Sequence, residues 1–191
     1  QIIITVFMII CSINFTVYYM FLIKRPKEAL MCEEMRYYLL IVFGSALLIA
    51  FNIRASFASF GKAFQQAIFQ VASVISTTGF ATADFNLWPE FSRMILVLLM
   101  FVGACAGSTG GGVKVSRLII MVKSVRNEIM SVTHPRSVQK VHMDGRRIPD
   151  NVVKTVLCYL AGYVVILIVS VLLISLDNFD TVSYTHLRAH E

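Results

Sequence analysis

Charge is what this sequence has least of. Of 191 residues only 15% are Asp, Glu, Lys or Arg, while 57% are hydrophobic, and the mean hydropathy is +0.74. A soluble domain carries about 25% charged residues, so the apolar side chains exceed what one core in water hides, and a bilayer is their expected surroundings. Cysteine is scarce as well. Cys11, Cys32, Cys105 and Cys158 show no CxxC or metal-ligand spacing and read as small core residues. The apolar runs hold no Asp, Glu or His, which speaks against a proton relay inside the membrane. No nucleophile–base pair, paired-acid arrangement or metal cluster is visible, so the sequence does not read as an enzyme. The net charge of +6 would fit a nucleic-acid binder, but the basic residues stand in short stretches between apolar runs with almost no aromatic residues among them, and no nucleic-acid partner is expected. The chain opens on Gln1 and enters an apolar run with no charged n-region, so it is not a signal peptide and reads as a chain entered partway.

What is present is a series of long apolar runs. Ile2 to Ile23 is uncharged and, at about 1.5 Å per residue, reaches roughly 33 Å as a helix, enough to cross a bilayer. Lys24-Arg25-Pro26-Lys27 stops it. After a polar connection, Tyr37 to Ile53 is a second run of spanning length. Ala63 to Ile75 is apolar but interrupted by Gln65, Gln66 and Gln70, and reaches only about 20 Å. It leads into Ser76-Thr77-Thr78-Gly79-Phe80, the pattern of a re-entrant segment. Met94 to Val113 is uncharged, yet its second half, Gly103 to Gly112, holds five of the ten glycines and is expected to break the helix. Lys114 to Asp150 is polar and basic, and Thr155 to Leu176 is a last apolar run. The lysines and arginines at positions 24–36 and 123–154 outnumber Arg54, Lys62 and Arg93 on the other side, so the first set is assigned to the cytoplasm. The runs then alternate consistently, with the half-length segment entering and leaving from outside. Residues 181–191 break the composition abruptly and are expected to be a non-native tail.

Three constellations carry chemistry. A half-length helix followed by Thr77, Thr78, Gly79 and Phe80 suits a cation filter. Carbonyl and hydroxyl oxygens, with potassium placed at Thr77 and Thr78, replace the ion's water, and the helix C-terminus adds a partial negative charge. The plainer alternative is a buried loop that merely turns. Gly103, Gly107, Ser108, Thr109, Gly110, Gly111 and Gly112 form a small, polar, flexible stretch that suits a gate in a wet pore. The alternative there is close helix packing through small residues. Its glycine spacing imitates a phosphate-binding loop, but Val113 stands where Lys is required and Lys114 comes one residue late. Lys114 and Arg117, just beyond, suit an interfacial anchor or a cation-repelling part of the gate. Asp84 and Glu90 flank the outer mouth, and His142 lies in the basic segment.

Val71-Ala-Ser-Val-Ile-Ser-Thr-Thr-Gly-Phe-Ala81, followed by Cys105-Ala-Gly-Ser-Thr-Gly-Gly-Gly-Val-Lys-Val-Ser-Arg117, resembles the TrkH family of bacterial potassium-uptake transporters, with the related KtrB proteins next. The Thr-His-Pro-Arg and Asp-Gly-Arg-Arg-Ile-Pro stretches between residues 133 and 149 favour TrkH. The resemblance implies an all-α membrane protein of helix–pore helix–helix repeats around one pore. Residues 1–27 would close one repeat, 36–130 would form a complete repeat, 131–154 a basic cytoplasmic connection, and 155–180 the first helix of the next. It implies one of four filter strands at Thr77 to Phe80 and an intramembrane gating loop at Gly103 to Gly112. It also implies a homodimer in the bacterial inner membrane, a cytoplasmic nucleotide-binding regulatory subunit, and no cofactor beyond potassium as substrate. A membrane-embedded scaffold or enzyme subunit with glycine-mediated packing is the alternative from another class. Neither reading decides between channel-like transport and symport with protons or sodium.

Overall fold

A run of apolar residues specifies burial but not straightness, and the first run shows the difference. In the computed structural model, which describes residues 1–57, 59–133 and 140–175, Ile2 to Ile23 is two helices, α1 (Ile2–Cys11) and α2 (Phe15–Leu22), bent by 92° at the break between them. The uninterrupted spanning helix expected here is therefore not observed. Local polarity permits the break. Ser12 Oγ donates to the Met8 carbonyl at 2.8 Å, and Asn14 leaves the helical region to cap α2 by accepting from Thr16 N at 2.9 Å. Both residue types compete with the backbone for its own hydrogen bonds.

A short α3 (Pro26–Met31) occupies the polar connection, with Pro26 in its first turn. Then comes α4 (Glu33–Ile53), which begins earlier than the apolar run because Glu33 and Glu34 suit a helix N-terminus. Its buried positions Tyr38, Val42, Ser45, Ala46, Ile49 and Ile53 recur at helical spacing, while Leu40, Phe43, Leu47 and Phe51 on other faces are exposed. That is one face for the protein core and another for lipid or for further parts of the protein. The inner face packs on α5 (Phe60–Ile75), whose Ala63, Ala67, Val71, Val74 and Ile75 join the same core. Alanines at 46, 50, 63 and 67 are fully buried and let the two helices approach closely. Ser59 caps α5 by accepting from Lys62 N at 3.4 Å, which carries its start three residues ahead of the apolar run.

After a polar loop, α6 (Glu90–Val102) runs back along α4 and α5 and stops at Gly103, as the glycine content predicts. An irregular segment leads to α7 (Val115–Thr133). A two-residue hairpin follows, β1 (His142–Met143) and β2 (Arg146–Arg147), with His142 opposite Arg147. This is the one departure from an all-α fold among the described residues. Asp144 and Gly145, at φ 51° and 73°, supply the two left-handed positions of a tight hairpin turn. Finally α8 (Asp150–Ser175) packs on α7 and exposes most of its apolar surface.

Two helices, within Glu33–Ser56 and Asp150–Leu173, are long and apolar enough to cross a membrane, or three if the bent α1–α2 pair is one span. Contacts at one end join Gln1 to Gln66 and Thr82 at 3.0 and 2.9 Å, and Ser92 to Asn52 at 3.1 Å. Contacts at the other join the hairpin to the start of α4, as described below. The basic stretches 24–36 and 140–147 therefore share an end. Of the cysteines, Cys105 is buried, but Cys11 and Cys158 are exposed. The expectation of core residues fails for those two, whose side chains lie on exposed helix surface. The proposed tail, residues 181–191, and the end of the last run, 176–180, lie outside the described residues, as does the Thr-His-Pro-Arg stretch beyond Thr133.

Candidate functional site

The α5 helix ends in a turn that its own backbone closes. Thr77 N donates to the Val74 carbonyl at 3.1 Å and Thr78 N to that of Ser73 at 3.0 Å, with Gly79 N reaching the same oxygen at 3.4 Å. This paired bonding around a left-handed residue is the Schellman arrangement. The left-handed position is normally glycine, but here Thr77 holds it at φ 56°, a conformation that costs a β-branched residue on the order of 1–3 kcal/mol. Its hydroxyl offsets part of that cost. Thr77 Oγ1 donates to the Ser76 carbonyl at 2.7 Å and accepts from Gly111 N at 3.0 Å. Ser76 Oγ and Thr78 Oγ1 share a hydrogen bond at 2.7 Å. Gly79 is buried at φ 78°, and Phe80 is exposed.

The glycine-rich loop crosses directly beneath this turn. Gly103 ends α6 at φ 68°, and a Cβ there would lie 2.4 Å from the Gly111 carbonyl oxygen, so no other residue fits. The loop then doubles back on itself: Ala104 N donates to Gly111 O at 3.4 Å, and Val115 N to Ala104 O at 3.0 Å. The tightest approaches of the glycines, at Gly103, Gly110 and Gly112, are to other residues of the same loop, while Gly107 and Gly111 lie against Asn14 and Thr77. Ser108 Oγ donates to the Cys105 carbonyl at 2.6 Å. Lys114 sits at φ 77° and turns its ammonium onto the Gly110 carbonyl, whereas the Arg117 guanidinium donates to the Val113 carbonyl at 3.5 Å and lies 3.9 Å from the centre of the Tyr159 ring on α8.

The remaining fasteners of the loop come from far away in sequence. Cys105 N donates to the Ser12 carbonyl at 3.1 Å, Phe15 N to that of Gly107 at 3.1 Å, and Thr109 Oγ1 to that of Cys11 at 3.2 Å. The backbone groups freed by the bend between α1 and α2 are therefore satisfied by the loop, and the reverse. Residues missed in the sequence complete the site. Glu34 is 3% exposed. Its Oε1 accepts from Ala106 N at 2.6 Å and Ser116 N at 3.1 Å, and its Oε2 from Asn14 Nδ2 at 3.4 Å. A buried carboxylate survives where N–H donors replace water. The donors here include the first turn of α7, which has no acidic residue of its own. The signal in the sequence was an acidic pair at the head of a spanning helix, hidden because the stretch read as a polar connection.

The structure thus brings Ser76 to Gly79 together with Gly103 to Lys114, and sets Arg117 between the end of the loop and α8. Asp84 accepts from Asn86 N at 3.0 Å and Glu90 pairs with Arg93 at 3.3 Å, both exposed and local. His142 Nδ1 lies 2.9 Å from the Lys140 carbonyl. Among the described residues no group of three His, Cys, Asp or Glu side chains converges as a metal site.

The chain as a whole is similar to known proteins. The family described as TrkH, cation transport protein, matches residues 1–184. The Trk system potassium uptake protein TrkH of Vibrio parahaemolyticus is 32% identical over 184 residues, which is 93% of this chain and 38% of that protein. The TrkH protein of Escherichia coli strain K12 is 30% identical over 187 residues, 95% of this chain and 38% of that one. The TrkG potassium uptake protein of the same strain is 28% identical over 176 residues. The crystal structure of the potassium transporter TrkH from Vibrio parahaemolyticus matches with a TM-score of 0.85 at 30% identity, covering 96% of this chain and 42% of that one. The chain therefore spans less than half the length of the relatives it matches.

Proposed function

The chain belongs to the TrkH family of cation transport proteins, and from that premise we propose that it is part of the pore-forming subunit of a bacterial potassium-uptake system. Potassium is the cargo, and the bilayer of the inner membrane is the setting. Thr77, Thr78, Gly79 and Phe80 form one filter strand of four, and Gly103 to Gly112 gate the pore beneath it. The rest of the pore comes from sequence that the longer relatives possess. The full protein works as a homodimer with a cytoplasmic nucleotide-binding regulatory subunit, for which the basic segment 123–154 offers a positively charged docking surface.

The observation that carries this reading is the meeting of the two segments at Thr77 and Gly111. A helix C-terminus aims partial negative charge at a short, hydroxyl-bearing turn, and a movable glycine loop lies against that turn. A filter and an obstruction placed in contact are what selective, controlled permeation requires.

The test is potassium-limited growth of an uptake-deficient bacterium carrying the full-length gene, wild type beside Gly79→Asp. A side chain at φ 78° distorts the strand, and a carboxylate there competes for the cation. Wild type should restore growth, and a normally expressed mutant should fail or lose its preference for potassium over sodium. Unchanged uptake with unchanged sodium exclusion would remove Thr77 to Phe80 from the filter.

A further inference from the structure

Glu33 and Glu34 are neighbours in the first turn of α4, yet they fasten different parts of the molecule. Glu34 holds the glycine-rich loop at Ala106 and the start of α7 at Ser116. Glu33 is held from the opposite direction. Its backbone N donates to Asp144 Oδ1, in the turn of the hairpin, at 2.7 Å. Its carboxylate pairs with Lys123 of α7, whose ammonium also donates to the His142 carbonyl of β1 at 2.7 Å. The α4 helix has no cap from its own Cys32 side chain, so the hairpin supplies the acceptor that its N-terminus lacks.

We propose that the first turn of α4 is a connector between the hairpin and the glycine-rich loop. Glu34 is the positioning residue that sets the conformation of the loop, and Asp144 is the residue through which displacement of the hairpin reaches it. The physical argument is stiffness. Two successive residues of a helix move together. One oxygen of Glu34 accepts from both Ala106 N, at 2.6 Å, and Ser116 N, at 3.1 Å, so a shift of the carboxylate is felt at both. Lys123 ties the hairpin to α7 as well, so one displacement acts on both the middle of the loop and its exit into α7. The inference rests on the reading of the loop as a gate, and its test separates the two.

The test uses the full-length protein in liposomes with two readouts: peptide-resolved labelling of buried Cys105 by a small thiol reagent, and tracer flux of rubidium standing in for potassium. Glu34→Ala removes the acceptor of Ala106 N, Ser116 N and Asn14 Nδ2; it should raise Cys105 labelling at least about tenfold, the effect of losing even one hydrogen bond to a charged group, and should raise basal flux in parallel. Glu34→Gln retains an acceptor for Ala106 N and should recover most of the difference. Asp144→Ala should raise labelling about threefold, consistent with loss of a helix cap. The double variant Glu34→Ala/Asp144→Ala should exceed Glu34→Ala by nothing. Unchanged labelling in a normally expressed Glu34→Ala protein, or independent effects in the double variant, would overturn the connector. Should Glu34→Ala fail to fold, unchanged labelling in Asp144→Ala would overturn it equally. A rise in labelling with no change in flux would support the connector and overturn the gate.

Discussion

The turn at 76–80 and the loop at 103–114 are made of the same small residues but are held by different means. The turn is closed by the last turn of the helix it follows, through Val74, Ser73 and Ser76. The loop has bonds of its own but is also fastened by segments that are remote in sequence: Cys11, Ser12, Phe15, Glu34 and Thr77. A structure closed locally keeps its shape whatever its neighbours do. A structure closed by others changes when they move. The distinction matches the roles proposed for them, one a fixed arrangement of oxygens and the other an obstruction that must yield.

The comparison is broken most severely by Gly103→Ala. The new methyl group would stand 2.4 Å from the Gly111 carbonyl at φ 68°, so the loop has to refold or the helix has to shift. A loss of about 3 kcal/mol or more is expected, read as a lowered thermal midpoint of the purified protein. The equivalent change outside the loop, Gly44→Ala, meets nothing within 4 Å and should be neutral or slightly stabilising in its helix. Equal effects at the two positions would mean that the loop is not folded as described.

Thr77 joins the two regions, and isosteric substitution sharpens the distinction between them. Thr77→Val keeps the shape and the strained φ but leaves Gly111 N without an acceptor, at a cost of about 1–3 kcal/mol. Thr77→Ser keeps the hydroxyl and should cost less than half as much. If Val and Ser variants melt together, the loop is not fastened to the turn. The smallest effect belongs to the far side of the site. Tyr159→Leu removes the ring under the Arg117 guanidinium, and an exposed contact of this kind contributes about 0.5–1 kcal/mol. The stability of α8 against proteolysis should fall slightly, while Cys105 labelling should stay at the wild-type rate.

Much of this was legible beforehand because it depends on composition over long stretches. The α4 and α8 helices follow from uninterrupted apolar runs, α5 from a run too short to span, and the stop at Val102 from the glycines after it. The bend between α1 and α2 was not legible. Ser12 and Asn14 are two polar residues in an apolar context, and either is tolerated inside a helix when nothing else offers a bond to the backbone. What selects the bend is the loop about ninety residues later, whose carbonyl at Gly107 and amide at Cys105 meet the freed groups. The role of Glu34 was hidden for a similar reason. An acidic residue at a helix N-terminus is fully explained by the helix itself, and only the folded chain shows that its carboxylate belongs to a different helix. The hairpin turn at Asp144 and Gly145 was present in the sequence as a dipeptide that favours it, but strands of two residues leave no period to detect.

The interlocking of the bend with the glycine-rich loop also has a consequence for biosynthesis. Chains are made from the N-terminus, and earlier segments settle first. Cys11, Ser12, Asn14, Glu34 and Thr77 all leave the ribosome before Gly103 does, so the bed that receives the loop is assembled before the loop arrives. A permuted gene that delivered residues 90–133 ahead of residues 1–57 would present the same contacts at equilibrium but would hold five glycines in the membrane with their backbone groups unmet until the rest of the chain followed.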